Sequence, residues 1–428
     1  MDMAGLFDNL QRNWTGGDKY DREAKVLITH FISDLNKMSE DDDYISKIAS
    51  ADVKYNLSLQ KRRHRDNGVR MHRKYWTDEK SVDGVSMTMG DDKRYINRVP
   101  FLFCGCDTVY DIDGKPGKKY ETRETVYDYT VFVEGQDPTA SYCCPNCGDI
   151  NTVSRLIEDG CRSCKTKFIL SELYPRVTYY YTVPPKKYSL SKPVPGVIAG
   201  FLGGLIYGIC AGLLGNDQIW VINALIAGFA GGILGYLLFS VLLLILVGVD
   251  IVSGGKKYGV YSRTCKKLPK FMSSYDPFFS IDFFVGKVNN LLRTLVYTDK
   301  CEDCAVLENS HAKGELFPDI LDVEYQGIIG LNDISSDGKY VYADVNVYTN
   351  TTFIKNRKII RRPEIFRMIL CRNVDVHDDC SASIHNIECK SCGASFNAVR
   401  ERKCPYCKSP YNLKDYDWIV TDIGRSRA

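Results

Sequence analysis

Charged side chains are missing from two long stretches in the middle of this 428-residue chain. Val194–Gly215 has none, and neither has Ile219–Val249. About 20 apolar residues suffice for a helix to cross the roughly 30 Å of bilayer hydrocarbon, whereas soluble core helices rarely run this long uncharged. The absence argues against a buried soluble hairpin and for two transmembrane helices. Only Asn216, Asp217 and Gln218 part the runs, and this connection lacks Lys and Arg. Met1–Trp14 lacks an apolar core and carries Asp2, Asp8 and Arg12, so no secretory signal peptide is read there. The net charge of +3 makes no case for nucleic acid as a partner. The six histidines are scattered and compose no metal or triad motif.

What is present orients the hairpin. Lys186, Lys187 and Lys192 precede the first run, and Lys256, Lys257, Arg263, Lys266, Lys267 and Lys270 follow the second. Positive flanks stay on the cytoplasmic side. The expectation is an integral protein of the cytoplasmic membrane with both termini cytoplasmic and Trp220 as an interfacial anchor. Gly196, Gly200, Gly204, Gly208 and Gly212 recur every four residues on the first helix. The second carries Ala224, Gly228 and Gly232 beside Ala227, Gly231 and Gly235. Small residues let helix backbones approach closely in lipid. Two readings stay open: the stripes pack the hairpin on itself, or one remains free for a homo-oligomer. A conducting pore would have only Asn223, Ser240 and a few tyrosines as polar lining.

Seventeen cysteines in a small secreted protein would suggest disulfides, but here many fall in pairs with two residues between them. In a reducing compartment that pattern reads as metal binding. Cys144, Cys147, Cys161 and Cys164 form one set, and Cys389, Cys392, Cys404 and Cys407 the other. Two such pairs at this separation point to a tetrahedral four-cysteine zinc site. Four thiolates leave no coordination position for water, so both sites are read as structural zinc ribbons. Each would carry a net charge of −2 that Arg162, Lys165, Lys390, Lys403 and Lys408 can offset. After the last ligand, Lys165–Glu172 and Lys408–Asp415 repeat Lys, Thr/Ser, aromatic, Leu and acid at equal offsets, hinting at an internal duplication.

Behind the hairpin, Ile281, Phe284, Val285, Val288, Leu291, Leu292 and Leu295 keep helical spacing and predict an amphipathic helix over Pro277–Thr298. Strands are predicted at Ile320–Leu331, Tyr340–Thr349, Lys358–Arg361 and Ile365–Arg372, with a turn at Ser335–Gly338. In the N-terminal half, Ala24, Leu27, Ile28, Phe31 and Leu35 mark another amphipathic helix. Asp66-Asn67-Gly68 predicts a hairpin turn between strands Val53–Gln60 and Val69–Trp76; further strands are expected at Val99–Phe103 and Thr125–Val133. The basic run Lys61–Arg65, with Arg70, His72, Arg73 and Lys74, reads as a solvated strand edge or a contact for anionic lipid, partly cancelled by Glu40–Asp43. Cys104, Cys106, Cys301 and Cys304 lie outside the ribbons. They read as plain reduced thiols, with a third metal site as the alternative. Glu302 and Asp303 argue against a thioredoxin-like nucleophile at Cys301.

The order of membrane segment, amphipathic helix, antiparallel sheet and a ribbon ending Cys404–Val420 (CPYCKSPYNLKDYDWIV) resembles bacterial proteins with a Tim-forty-four-like domain followed by a zinc ribbon. Their eukaryotic relative is the scaffold of the mitochondrial inner-membrane import motor. The resemblance covers about Tyr275–Ile423, and Asp415-Tyr416-Asp417-Trp418 is its most specific part. It implies a cone-shaped α+β domain with an apolar groove, working in scaffolding or transport beside a membrane, with no catalytic motif to carry over.

The expected fold class is an α+β membrane protein: a two-helix transmembrane hairpin between two cytoplasmic α+β modules, each ending in a four-cysteine zinc ribbon. The expected domains are an N-terminal α+β module at 1–140, zinc ribbon 1 at 141–182, a linker at 183–193 and the transmembrane hairpin at 194–249. A basic linker at 250–274, the Tim-forty-four-like domain at 275–385 and zinc ribbon 2 at 386–423 complete the chain. The function expected is a non-enzymatic membrane adaptor or scaffold, binding a protein partner or membrane lipid. The alternatives are a glycine-zipper oligomer acting as a channel or transporter component, and a thiol redox enzyme using Cys301 and Cys304.

Overall fold

The computed structural model of the chain describes residues 19–41, 44, 46, 48–77, 86–91, 95–102, 104–122, 124–132, 141–144, 146–168, 176–183, 194–215, 220–277, 279–308, 314–377, 387–399 and 401–427. The break at Asn216–Gln218 and the lysines at 186, 187 and 192 lie outside them. Two compact units emerge, one of Lys186–Gly259 and one that joins Met1–Pro185 to Val260–Ala428. The halves expected as separate modules thus form a single unit.

In chain order the larger unit begins with α1 (Lys19–Glu40), α2 (Ala51–Asp66), β1 (Val69–Thr77), β2 (Ser86–Asp91), β3 (Tyr95–Leu102) and β4 (Cys104–Ile112). Then come β5 (Lys115–Pro116), β6 (Tyr120–Thr122), β7 (Glu124–Phe132), β8 (Ser141–Cys143), β9 (Ile150–Thr152), α3 (Val153–Glu158) and β10 (Arg176–Val183). All sheets are antiparallel: β4 pairs with β1, β5 and β6, and a second sheet runs β10-β7-β3-β2.

The strand expected at Val53–Gln60 is instead the helix α2. The Ser50 hydroxyl accepts from Val53 N at 3.3 Å as its N-cap, and the Asn67 side chain donates to the Arg63 carbonyl at 2.9 Å. Gly68 sits at φ +65° just beyond. An Asn-Gly pair serves a helix C-terminus as readily as a hairpin turn. The helix is anchored largely through polar residues: Asp52, Asn56, Gln60, Arg63 and His64 are buried, at helical spacing, beside the apolar Val53 and Leu59. Arg63 and His64 are therefore interior, not part of a solvated edge or a lipid contact, and so is Arg73 on β1.

The smaller unit holds α4 (Val194–Gly215) and the start of α5 (Trp220–Met272), which ends in the larger unit. The stretch expected as a basic linker, 250–274, is helical through Met272. Thr264, Leu268 and Met272 recur every four residues and are buried, while Arg263, Lys266, Lys267 and Lys270 stay exposed or half-buried between them. The Thr264 hydroxyl accepts from Leu331 N at 2.8 Å, which seats this last part of α5 on the sheet behind it.

That sheet belongs to the C-terminal part. After α6 (Ile281–Tyr297) come β11 (Ile320–Ser336), β12 (Tyr340–Lys355), β13 (Lys358–Asn373), β14 (Ile387–Glu388), β15 (Ser395–Phe396) and β16 (Ile419–Arg427). The sheet order is β11-β12-β13-β16. Val341, Ala343, Val345 and Val347 are buried in the predicted alternation. Asp337 accepts from Lys339 N and Tyr340 N, and Gly338 at φ +91° completes the predicted turn. The two short strands expected after it form one, because β13 runs straight through Pro363. Helix α6 is buried on nearly every side, not on one face. Its polar residues Asn289, Asn290, Arg293 and Thr294 are covered as well. The Asn56 amide of α2 donates to the Asn290 carbonyl at 3.2 Å, the Thr294 hydroxyl donates to Asn56 at 2.9 Å, and Arg293 lies over the Tyr180 ring of β10.

Candidate metal centres

Each cysteine pair closes one tight turn, and the four turns share one backbone geometry. In the first ribbon, Gly148 N donates to the Cys144 carbonyl and Lys165 N to that of Cys161, at 2.8 and 2.9 Å. Gly393 N to Cys389 and Lys408 N to Cys404 repeat this at 2.7 and 2.9 Å in the second. Gly148 and Gly393 take φ of +77° and +69°, and Lys165 and Lys408 both take +61°. Glycine reaches that region without strain, whereas lysine accepts it only where the surroundings impose it. Short strand pairs, β8 with β9 and β14 with β15, close the first turn of each ribbon.

The turns bring the predicted ligands together. Cys144, Cys147, Cys161 and Cys164 have all their sulfurs within 4.8 Å of one another, and so do Cys389, Cys392, Cys404 and Cys407. Individual Sγ–Sγ separations are 3.5 and 3.6 Å in the first set and 3.7 Å for Cys389–Cys407 and Cys392–Cys404 in the second. A tetrahedron of thiolates at about 2.3 Å from a central ion has edges of about 3.8 Å, so both sets can hold a metal ion. Hydrogen bonding with the Thr166 hydroxyl and N–H draws the Cys164 thiol down to about 5. That with Ser409 does the same for Cys407, to about 6. Thr166 and Ser409 occupy the same offset from the last ligand, extending the internal likeness beyond the cysteines.

The ribbons flank the hairpin in sequence but meet in space. Arg162, between ligands Cys161 and Cys164, donates to the Gly393 carbonyl at 2.9 Å and to Glu388 at 3.3 Å. It also pairs with Asp149 at 3.3 Å. Ile150 N donates to the Ser395 hydroxyl at 3.1 Å. Burial works against the Asp149 charge, but hydrogen bonds from Ser395, Ser163 and Arg162 hold its carboxyl below the usual range.

The Asp415–Trp418 motif docks the second ribbon. Trp418 is buried, its ring packed edge-on to Phe284 at 5.1 Å with Arg372 over its face at 4.8 Å. Asp417 pairs with Lys287 of α6, and Asp415 accepts from Asn373 at 2.9 Å.

Sequence reasoning missed a buried polar cluster that joins the two halves of the larger unit. Asp322 on β11 is fully buried and accepts from Gln60 at 2.6 Å, Tyr110 at 3.0 Å, Arg73 at 3.2 Å and Tyr297. Glu324 accepts from Arg73 at 2.9 Å and from Arg361. Burial pushes the Asp322 carboxyl up, but Arg73 foremost pulls it down, to about 2. Burial lowers His64, in α2 beside this cluster, to about 4. The six positions Ile320–Tyr325 are all buried, a run that a two-faced strand shows only when both faces are covered. The sequence carries no matching signal, because Asp322 and Glu324 interrupt the apolar residues and read as a solvent face.

Cys301 and Cys304 are 0 % and 1 % exposed. Cys106 is buried too, and the Cys104 side chain lies outside the described residues. Among the described residues, the only cysteine groups able to hold a metal are the two ribbons.

In the smaller unit the glycine stripes face each other. A Cβ added at Gly200 would run into the Gly231 carbonyl, and one at Gly204 into that of Ala227. At Gly208 it would meet Ala224. Gly228 and Gly232 approach Phe201, and Gly235 lies against Gly200. Gly196 and Gly212 are helical, but the packing around them lies outside the described residues. Among those residues, one helix is long and apolar enough to cross a membrane, Val221–Val241, with mean hydropathy 2.0; Val197–Ala211 is a shorter apolar helix.

Compared with protein-family models, curated proteins and solved structures, the chain matches none.

Proposed function

We propose that this protein is a non-enzymatic adaptor anchored in the cytoplasmic membrane by a two-helix hairpin, presenting one large cytoplasmic unit stiffened by two structural zinc ions. The observation that carries the reading is Val221–Val241: 21 residues containing an 18-residue stretch of mean hydropathy 2.0, of which only 17 % is buried. A soluble core helix of that hydropathy would be covered; an exposed one needs hydrocarbon around it. The first helix is its partner in the bilayer. The stripes that meet across the pair are used up in packing the hairpin, which favours an anchor over a glycine-zipper channel.

Two all-cysteine centres leave no open ligand position, the pattern of structural zinc sites. Zinc binding supplies about 10–16 kcal/mol to segments too short to hold a core of their own. The helix α6 on an antiparallel sheet, followed by a ribbon docked through Asp415–Trp418, is the order expected of a Tim-forty-four-like domain. On that likeness the partner is a protein handled at the membrane face.

In-cell crosslinking with mass spectrometry should recover a reproducible protein partner. Alkaline carbonate should leave the chain in the membrane pellet, and purified protein should carry two zinc ions per chain. Release by carbonate, or zinc near zero under reducing conditions, would overturn the anchor or the ribbons respectively.

A further inference from the structure

We infer that the two cysteine centres act as one coupled pair, each binding its metal more tightly when the other is filled, with Arg162 as the link. The inference rests on reading both cysteine sets as metal sites. Its ground is the position of the contact. Arg162 stands between two ligands of the first centre, and its targets Glu388 and Gly393 lie next to ligands Cys389 and Cys392 of the second. Asp149, which orients Arg162, follows ligand Cys147 and its Gly148 and is itself buried. The Ile150–Ser395 hydrogen bond lies in the same seam.

A metal ion fixes the turn Cys161–Cys164, and that turn aims the Arg162 fork. When the first ion leaves, the turn loses the bonds that pin its two sulfurs and keeps only hydrogen bonds: Lys165 N to Cys161, Cys161 N to Thr166, Arg162 N to Asn151 and Ser163 to Asp149. The fork then withdraws from the Gly393 carbonyl and from Glu388, and the neighbouring turn loses its brace. Removing the second ion disorders Glu388 and Gly393 and frees Arg162 in the same way. Linkage requires the effect to be equal in both directions. The Arg162 and Glu388 side chains are 39 % and 45 % exposed, so their ion pair alone is weak. Together with the hydrogen bond to the carbonyl and the buried Asp149, a coupling of about fivefold or more is expected, the lower end of the usual range.

The test uses the full chain in detergent, with zinc affinity at the second centre measured by competition against a chromogenic chelator. Removing the first centre by Cys147→Ser with Cys161→Ser should weaken zinc at the second about fivefold or more. In an Arg162→Ala background the same removal should change it less than about twofold. Arg162→Ala alone, with all ligands intact, should raise the one-zinc species seen by native mass spectrometry as zinc is withdrawn. That arm keeps the test valid if the cysteine variants misfold. Unchanged affinity at the second centre, or a one-zinc population indifferent to Arg162, overturns the coupling while two zinc ions per wild-type chain leave the metal sites standing. Failure to bind zinc at either centre would instead remove the reading beneath it.

Discussion

Replacing Arg73 by methionine should cost far more than a surface arginine would. The side chain stem is kept, but Asp322 and Glu324, 0 % and 8 % exposed, lose the cation they share. Glu324 keeps Arg361, and Asp322 keeps the neutral donors Gln60, Tyr110 and Tyr297. Breaking a buried pair by removing one partner typically costs about 3–5 kcal/mol, because the other charge stays behind uncompensated. At the usual unfolding entropy of about 2 cal/mol/K per residue, a unit of this size should melt roughly 5 °C lower. The pH dependence carries a second signature. Without Arg73 the folded-state pKa of Asp322 rises above its unfolded value, so the folded variant takes up a proton as pH falls. Its deficit against wild type should therefore narrow towards pH 4, and adding Asp322→Asn should recover much of it. Thermal melts of detergent-solubilised protein at saturating zinc, from pH 4.5 to 7.5, provide the assay. A deficit under about 1 kcal/mol at pH 7, or one that Asp322→Asn deepens, would refute the view that this charge cluster ties the halves together.

His64 supplies an independent pH test: its folded pKa of about 4 lies below the ordinary 6.5, so the unfolded chain binds the extra proton between those values. Stability should fall as pH drops from about 6.5 to 4, by up to about 3 kcal/mol from this residue. His64→Leu should flatten that part of the melting profile, and an unchanged slope would contradict the assignment. Gly204→Leu puts a side chain against the Ala227 carbonyl and should part the hairpin, read as faster proteolysis of the 194–259 segment in detergent; cleavage at the wild-type rate would argue against the close crossing. Cys301 and Cys304, 0 % and 1 % exposed, should alkylate slowly at neutral pH in the folded chain; one unusually fast thiol among them would revive the redox reading.

Where residue spacing itself carried the chemistry, the sequence was legible. Val341–Val347 alternate as read, and each set of four cysteines converges as its pairs implied. Polar burial leaves no such mark in the sequence. Asn56, Gln60, Arg63 and His64 define much of the buried face of α2, but they carry no hydrophobic period, so the sequence there looks like a strand before a hairpin turn. The basic stretch after the second apolar run misled in the same way. Its helical period lies in Thr264, Leu268 and Met272, beneath four cations that stay at least partly exposed.

Local order alone determined the two four-cysteine sets, the apolar runs and the alternating strands of the C-terminal sheet, because each depends on neighbours a few residues away. Tertiary structure decided what lies against them. It set α2 against α6, joined Arg73 to Asp322 and brought Arg162 to the second ribbon, contacts between residues 226 to 249 positions apart. A buried charge or amide is tolerated only where a partner meets it. For these residues the partner lies in the other half of the chain, where no local pattern could announce it.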